Sequence, residues 1–590
     1  MTISTADKRL IEKMMFRLLP VQILLSAVGT VNGIVSSFFA ANYLGIDAMT
    51  AVGLYGPIGM LVTSVSTVLT GGSAILCGKY MGQNEQRKMQ SVFSLNLSAS
   101  LIIAIIFMVT YVCLGFFDLT GFLTDDLRVR AIFNIYLLGQ AVGIIPLMLG
   151  SSFASFLSME NRGRRTMTAS IIYIIVNILL NFVFVRTMKL EALGLALASS
   201  FGMWVFLLIQ AEVFITGKSH FHISRGYLDW KELRTMFLIG LPGAAVNLYQ
   251  TIRGLIVNKL ITVYVGSAGI SAFAAVNNFL GIFWAIPAGM LAVSRMMISV
   301  STGEEDRQTL TDVMRIMFTR FIPIMCMIIA GIILLAVPLT RIFYRDPSEA
   351  VYMMTVNGFR ILPLCMPLSI IAMHFTCYGQ TSGKQVLVHT NALLDGAVCV
   401  SLFTALLIPF IGMNSVYVAN VLNGIVSLLL FFGYACFMNR HIPRNIEELM
   451  VIPEEFGVSK DERLDLSITT MEEVVTIAEQ TQQFCLEHGV GERRSYLSAL
   501  FLEEMAGNVV SHGFVKDRKP HRVDIRVILK GDDVILRIGD DCIPFDPSER
   551  QKLTEHDDPV KNIGIKMVYR MAKDIKYQNM LGMNVLMITI

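Results

Sequence analysis

A chain of 590 residues with 54% hydrophobic and only 16% charged residues, a mean hydropathy of +0.60 and a formal net charge of +3 is too long for one ordinary domain and too apolar for a wholly soluble protein. The small net charge, with no basic patch interleaved with aromatics, excludes nucleic acid as a partner class. The nine cysteines are scattered without a CxxC pair and give neither a metal-site spacing nor a disulfide framework.

The first 17 residues carry Lys8, Arg9, Lys13 and Arg17, and the apolar stretch that follows, 18–44, is too long for a cleaved leader. It reads as a first transmembrane helix. A hydrocarbon core about 30 Å thick is crossed by roughly 20 apolar residues in a helix. Runs of that length recur at 18–42, 51–78, 92–116, 132–157, 167–187, 192–215, 236–262, 270–294, 316–340, 352–378, 386–409 and 413–438. The fold class is therefore an all-α polytopic membrane domain of 12 transmembrane helices over residues 1–440, with a polar and charged remainder. Loops after even-numbered spans hold 14 Lys and Arg, and loops after odd-numbered spans, with Arg186 at the end of the fifth span counted in, hold 6. The positive-inside rule then predicts a multi-pass protein of the cell membrane with both termini and the C-terminal domain in the cytoplasm.

The membrane region repeats itself. "LPVQILLSAVGTVNGIV" opens the first half and "LPGAAVNLYQTIRGLIV" the second, with Pro20 and Pro242 222 residues apart. "YLGIDAMTAVGL" matches "YVGSAGISAFAA", with Gly45 and Gly266 offset by 221. Two six-helix bundles follow, about 1–215 and 216–440, with the substrate site expected between them. These segments, with "GGSAILCGKYMGQNEQRKMQ" at 71–90 and "NRGRRTMTASIIYIIVNILLNFVFV" at 161–185, resemble the multidrug and toxic compound extrusion (MATE) family over about 420 residues. The resemblance implies antiport of drug-like or organic cations, coupled to H+ or Na+, through a cavity that opens alternately to each side. The sequence departs from the family at two places. Ser37 stands where many members carry an Asp in the first span, and "AVSRMMISVSTGEEDRQ" of the second half has no clear likeness to the Gly-rich segment at 71–90.

Ionisable and amide side chains inside spans are costly and mark candidate transport residues. Asp395, flanked by Asn391, suits a coupling ion or a carboxylate bonded within its own helix. Arg253 suits pairing with Asp395, and Lys259 snorkelling. Asn177 and Asn181, four apart on one helix face, suit a cation site or interhelical hydrogen bonds; Asn32, His374 and His389 are weaker candidates.

Residues 441–462 read as a linker and 463–590 as a C-terminal two-layer α/β domain. "RLDLSIT" has strand periodicity, "MEEVVTIAEQTQQFCLEHG" and "ERRSYLSALFLEEMAGNVVSHGF" read as helices, "HRVDIRVILKGDDVILRIGDD" as a strand pair, "NIGIKMVYRMAKD" as a third helix and the last 16 residues as a hairpin, all forming a mixed sheet with helices on one face. "EEMAGNVVSHG" puts Glu504, Asn508 and His512 on one helix face, "DDCIPFDP" follows a strand, and "NIGIKMV" opens a helix whose free N–H groups suit phosphate. In this order they resemble the N-box and two glycine boxes of the GHKL ATPase superfamily, and most of all its anti-sigma-factor serine kinase branch, over about 130 residues. The resemblance implies ATP and Mg2+ as cofactors. Glu504 would be the general base and Asn508 the Mg2+ ligand. Asp540 would meet the adenine amino group, and Gly564 would let the backbone approach phosphate. His512, Phe545 and Asn562 complete the nucleotide-binding set, with 548–561 as a lid. Cys542 and Asn562 replace two glycines of those boxes.

The reading is an efflux transporter of small molecules controlled by a cytoplasmic ATP-binding domain, with a regulatory protein as a further partner. Two alternatives stay open: a membrane-tethered serine/threonine kinase with a transporter-derived sensor, and a lipid-linked sugar flippase with a strongly basic cavity.

Overall fold

The computed structural model describes residues 4–83, 85–122, 126–160, 162–217, 219–223, 229–458, 461–514, 521–543, 563–580 and 583–590. The membrane domain consists of α1 (Ser4–Phe39), α2 (Ile46–Gly82), α3 (Gln86–Phe116), α4 (Leu127–Met159), α5 (Gly163–Thr187), α6 (Glu191–Ile215), α7 (Trp230–Tyr264), α8 (Ser267–Gly303), α9 (Arg307–Leu334), α10 (Ala350–Thr381), α11 (Gln385–Ile411) and α12 (Asn414–Asn439). Among the described residues, 11 helices are long and apolar enough to cross a membrane. The remaining one, α7, has 35 residues and stands where the seventh span is predicted; its charged residues, together with Asn247 and Gln250, dilute its hydropathy.

The two halves meet along α2 with α7 and α8, and along α1 with α8. Glycine makes the approach possible, as expected where packing rather than hydrophobicity joins helices. A Cβ on Gly72 would overlap the Met236 carbonyl, one on Gly240 the Val68 carbonyl, one on Gly82 the Val300 carbonyl and one on Gly303 the Lys79 carbonyl. All four contacts lie toward the same end of the bundle. Toward the other end, Gly53 and Gly56 of α2 and Gly254 of α7 have open space around them. The closest backbone contacts between the halves are therefore gathered at one end, which they seal, and the glycines toward the other end make no such contact.

The C-terminal domain sits at the sealed end. A short helix, α13 (Ile446–Met450), precedes it. Residues 446–456 are held to the membrane domain: Arg307 pairs with Glu447 at 3.1 Å and donates to the Phe456 carbonyl, and Lys384 donates to the carbonyls of Met450 and Val451 at 2.5 and 2.8 Å. The domain proper is β1 (Arg463–Ile468), α14 (Met471–Glu487), α15 (Glu492–Asn508), β2 (Val523–Lys530), β3 (Asp533–Asp540), α16 (Ile563–Met571), β4 (Asp574–Met580) and β5 (Met583–Thr589). A capping box between Thr470 and Glu473 starts α14. Val474, Ile477, Ala478, Thr481 and Cys485 give α14 one apolar stripe, which packs with Phe501, Leu502 and Met505 of α15 on the inner residues of the sheet.

The strand order is β1-β2-β3-β5-β4, and every neighbouring pair is antiparallel, so the expectation of a mixed sheet is corrected. Two helices between β1 and β2 reverse the chain twice before the return strand. The crossover through α16 would place β4 parallel to β3, but β5 inserts between them.

Candidate functional site

The nucleotide-site candidates gather at the C-terminal end of β3, the central strand of the sheet. Asp540 ends β3 and is 6% exposed. Its Oδ1 accepts from Asn584 Nδ2 at 2.7 Å and from the Cys542 N–H at 3.0 Å. Burial pushes this carboxyl above the ordinary aspartate range, only partly offset by the bonds from Asn584 and from the Cys542 N–H and thiol. Asn584 lies directly opposite Asp540 in the strand register, and its own Oδ1 accepts from Tyr577 Oη at 2.8 Å and Asn579 Nδ2 at 2.9 Å. Sequence reasoning missed this supporting network. The only local signal is a polar Asn interrupting the apolar run of β5, and the register that pairs it with Asp540 is not a local property.

Glu504 and Asn508 are joined by the Asn508 Nδ2 bond to the Glu504 carbonyl at 2.6 Å. This turns the amide nitrogen inward and leaves Oδ1 as a hard oxygen donor, a fit to Mg2+ alongside phosphate oxygens. A Cβ on Gly564 would overlap the Glu504 carboxylate, so the N-box glutamate reaches the first turn of α16 and a larger residue at 564 would turn that carboxylate aside. The free N–H groups of that bare first turn suit a nucleotide phosphate. The expected common face of Glu504, Asn508 and His512 is altered. The helix continues over Val509–Gly513 with π geometry, which shifts His512 from i+8 register, and it is exposed. Cys542 is buried, needs no left-handed backbone, and its Sγ lies 3.1 Å from where a Gly513 Cβ would be, so cysteine fills this glycine position without strain. Phe545, Asn562 and the lid 548–561 lie outside the described residues.

In the membrane domain the first half contains a cavity of about 480 Å³, lined among others by Asn32, Ser36, Tyr55, Tyr136, Gln140 and Ser199. Among the described residues its lining contains no carboxylate and no cation. Asn32, Asn177 and Asn181, singled out separately in the sequence, belong to one network: Ser199 Oγ donates to Asn32 Oδ1 at 3.2 Å, Asn177 Nδ2 donates to Ser199 at 3.3 Å, and Asn181 Nδ2 donates to the Asn177 carbonyl at 2.9 Å. The network ties α1, α5 and α6 together behind the cavity wall. The backbone of Ser37 lies in α1, and its side chain lies outside the described residues.

In the second half Asp395 lies in a π-helical segment, Leu394–Val398, of α11. Asn423 Nδ2 donates to its carboxylate at 2.7 Å. Arg253 is adjacent, but its guanidinium donates to the Asp395 main-chain oxygen at 3.3 Å, so the expected partnership holds through the backbone. Asn391 turns away to Thr376 Oγ1 at 3.2 Å. His374 is fully buried between Ser294 and the Ile370 carbonyl, both at 2.7 Å, and is structural; His389 and Lys259 are exposed.

The family model MatE matches residues 23–183 and 242–394, and the model of the histidine kinase-like ATPase domain matches 469–589. A probable multidrug resistance protein NorM of Halalkalibacterium halodurans is 25% identical over 230 residues, 36% of this chain and 48% of that protein. Another from Bacillus cereus is 24% identical over 288 residues, 45% of this chain and 61% of that protein. The chain thus spans about half to three-fifths of the length of these curated relatives. In fold, a variant of the Vibrio cholerae MATE transporter VcmN superposes with a TM-score of 0.67 at 18% identity, covering 73% of this chain and 98% of that one.

Proposed function

As the chain belongs to the MatE family and carries a histidine kinase-like ATPase domain at its C-terminus, we propose that it is an efflux transporter, an ion-coupled antiporter of organic cations or drug-like compounds, governed by nucleotide at a cytoplasmic domain. The observation that carries this reading is the uneven seam between two repeated halves, closed by glycine backbone contacts at the end bearing the ATP-binding domain and without such contacts at Gly53, Gly56 and Gly254 toward the other. Such a bundle can rock about its centre and expose a cavity to each side in turn. The first-half cavity, with Tyr55, Tyr136, Asn32 and Gln140, suits an amphipathic substrate held by aromatic faces and amides. The flippase alternative calls for a basic cavity, and the lining among the described residues is neutral.

The coupling ion is assigned to Asp395, an intramembrane carboxylate held by Asn423 in the second half. An Asp395→Asn variant reconstituted in proteoliposomes is expected to bind substrate normally and to lose uptake driven by a proton or sodium gradient by at least ~10-fold. Retained gradient-driven uptake would remove Asp395 from coupling.

In the ATP-binding domain Asp540 takes the adenine amine, Asn508 supplies an oxygen to Mg2+, and the first turn of α16 receives phosphate. When bound, Mg2+ would neutralise phosphate charge. Titration calorimetry of the purified protein with ATP and Mg2+ is the direct test. An Asn508→Ala variant is expected to lose Mg2+-dependent affinity by about 10-fold or more, the size of one lost charge-assisted contact. Glu504, lying against that turn, would also suit a base activating a Ser or Thr hydroxyl, so label moving from γ-labelled ATP to a protein would favour the kinase alternative.

A further inference from the structure

The face of the sheet turned away from α14, α15 and α16 is polar, yet it is not in water. Arg526 of β2 is only 4% exposed. In register it stands between Asp465 of β1 and Arg537 of β3. Two guanidinium groups opposite one another in a ladder destabilise an isolated sheet.

The compensation comes from the membrane domain, at the corner between α8 and α9. Asp306 accepts from Arg526 and, at 2.9 Å, from Arg463; Arg526 also donates to Thr309 Oγ1 at 2.9 Å. Glu304 pairs with Arg537 at 3.2 Å, and Glu305 with Lys530 at 2.5 Å. Burial alone would raise the Asp306 carboxyl, but the surrounding arginines hold it far below the usual range; Glu304, more affected by burial, is raised. Beside this ionic patch, Met583 and Val585 of β5 join the same apolar cluster as Met14 and Met15 of α1. The segment that departs from the family pattern, "STGEEDRQ", is thus the seat of the C-terminal domain.

This corner begins one residue after Gly303, whose missing Cβ lets α8 meet the Lys79 carbonyl of α2. The domain therefore grips the tip of a helix that seals the halves. Its ionic hold on the first half is of another kind: the exposed Lys13 of α1 reaches Asp541 at 2.8 Å. Asp541 follows Asp540 directly and is shared with His521 at 2.9 Å. Lys13 and His521 together hold the Asp541 carboxyl below its ordinary range despite burial. The domain is bound to the second half chiefly by desolvated, multiply paired charges around Asp306 and Glu304, which do not come apart readily, and is tied to the first half by a pair whose lysine is exposed and which is correspondingly weaker.

We propose that the ATP-binding domain is a strap across the sealed end, fixed to the second half at Glu304–Asp306 and latched to the first by Lys13 and Asp541, and that a nucleotide seated on Asp540 draws Asp541 away from Lys13 and frees the halves to part. The proposal rests on the reading of Asp540 as part of a nucleotide site.

The test uses the full chain in lipid nanodiscs, with native cysteines replaced and spin labels attached through Arg87→Cys and Arg234→Cys, both exposed near the sealed end. Pulsed dipolar distances are recorded with and without a non-hydrolysable ATP analogue and Mg2+, and analogue binding is measured by calorimetry on the same samples. The expected result is a longer-distance population that appears with the analogue. Lys13→Ala is expected to show it without nucleotide and to bind the analogue more tightly than the parent, since no latch then has to be broken, and Asp306→Asn to reduce the response to nucleotide. Lys13 is exposed, so its variant tests the latch even where Asp306→Asn misfolds. Bound analogue with unchanged distances, or a Lys13→Ala protein indistinguishable from the parent, overturns the strap and leaves nucleotide binding standing. No binding overturns both.

Discussion

Replacing Gly303 by Val is expected to abolish the sealed state of the transporter. The new side chain begins where the Lys79 carbonyl lies, and backbone on one helix cannot yield as the tip of a flexible side chain can. Overpacking costs about 1–3 kcal/mol where side chains can adjust, and the upper end is appropriate against main chain. A shift of ~3 kcal/mol moves a two-state equilibrium by more than 100-fold. The loss falls on the sealed conformation alone, since the contact exists only there, so the population moves toward halves parted at the ATP-domain end. A single cysteine introduced by Gln140→Cys in the lining of the first-half cavity reports the change. Its labelling by a membrane-impermeant thiol reagent, applied from the side away from the ATP-binding domain, should drop steeply, and transport with it. Gly331→Ala provides the control, because that glycine has nothing within 4 Å of a Cβ and should label like the parent. Unchanged labelling in Gly303→Val would mean that this contact does not close the path.

Asp540→Asn is expected to weaken ATP by about 10- to 100-fold, the equivalent of ~1–3 kcal/mol for a buried polar group deprived of its partner. The amide has one acceptor where the carboxylate has two. If its oxygen keeps the bonds from Asn584 and Cys542, its NH2 points at the adenine amine. If it flips, the NH2 faces two donors instead. Stability should move the other way. Burial raises the folded pKa of Asp540, and a group with a raised pKa stabilises the fold below its unfolded pKa and loses that contribution as pH rises through the folded value. At neutral pH the ionised carboxylate therefore opposes folding, and removing its charge is expected to hold or raise the melting temperature of the C-terminal domain. Lost affinity with an unchanged or higher melting temperature separates a binding role from misfolding. A variant that melts earlier and binds ATP as the parent does would remove Asp540 from the site.

Much of the architecture is written locally and was legible for that reason. Each span is a run of apolar residues long enough to cross a bilayer, and a helix needs only its own residues to satisfy its backbone there. The half-length repeat is visible because Pro20 and Pro242, and Gly45 and Gly266, keep nearly the same offset. The order of strands and helices after residue 463 follows from apolar periodicity, and Glu504, Asn508, Asp540 and Gly564 stand out because fixed spacings within short motifs carry them.

The rest depends on which distant segments touch. Asn584 matters because its strand register sets it against Asp540, 44 residues away. The two-arginine rung of Arg526 and Arg537 looks like an ordinary solvated face until Glu304 and Asp306, more than 200 residues earlier, are brought beneath it. His512 keeps its place in the chain but leaves the expected helix face, because π geometry adds to the turn. Gly72, Gly82, Gly240 and Gly303 are ordinary small residues in sequence, and only the approach of two backbones gives each its role. The sequence by itself determined the membrane bundle, its duplication, the attached ATP-binding domain and the motif residues, since hydropathy, periodicity and spacing act within a few turns of chain. The tertiary structure alone decided which end is sealed, what supports Asp540 and where the two domains are joined, since register, close backbone approach and charge compensation exist only between segments far apart in sequence.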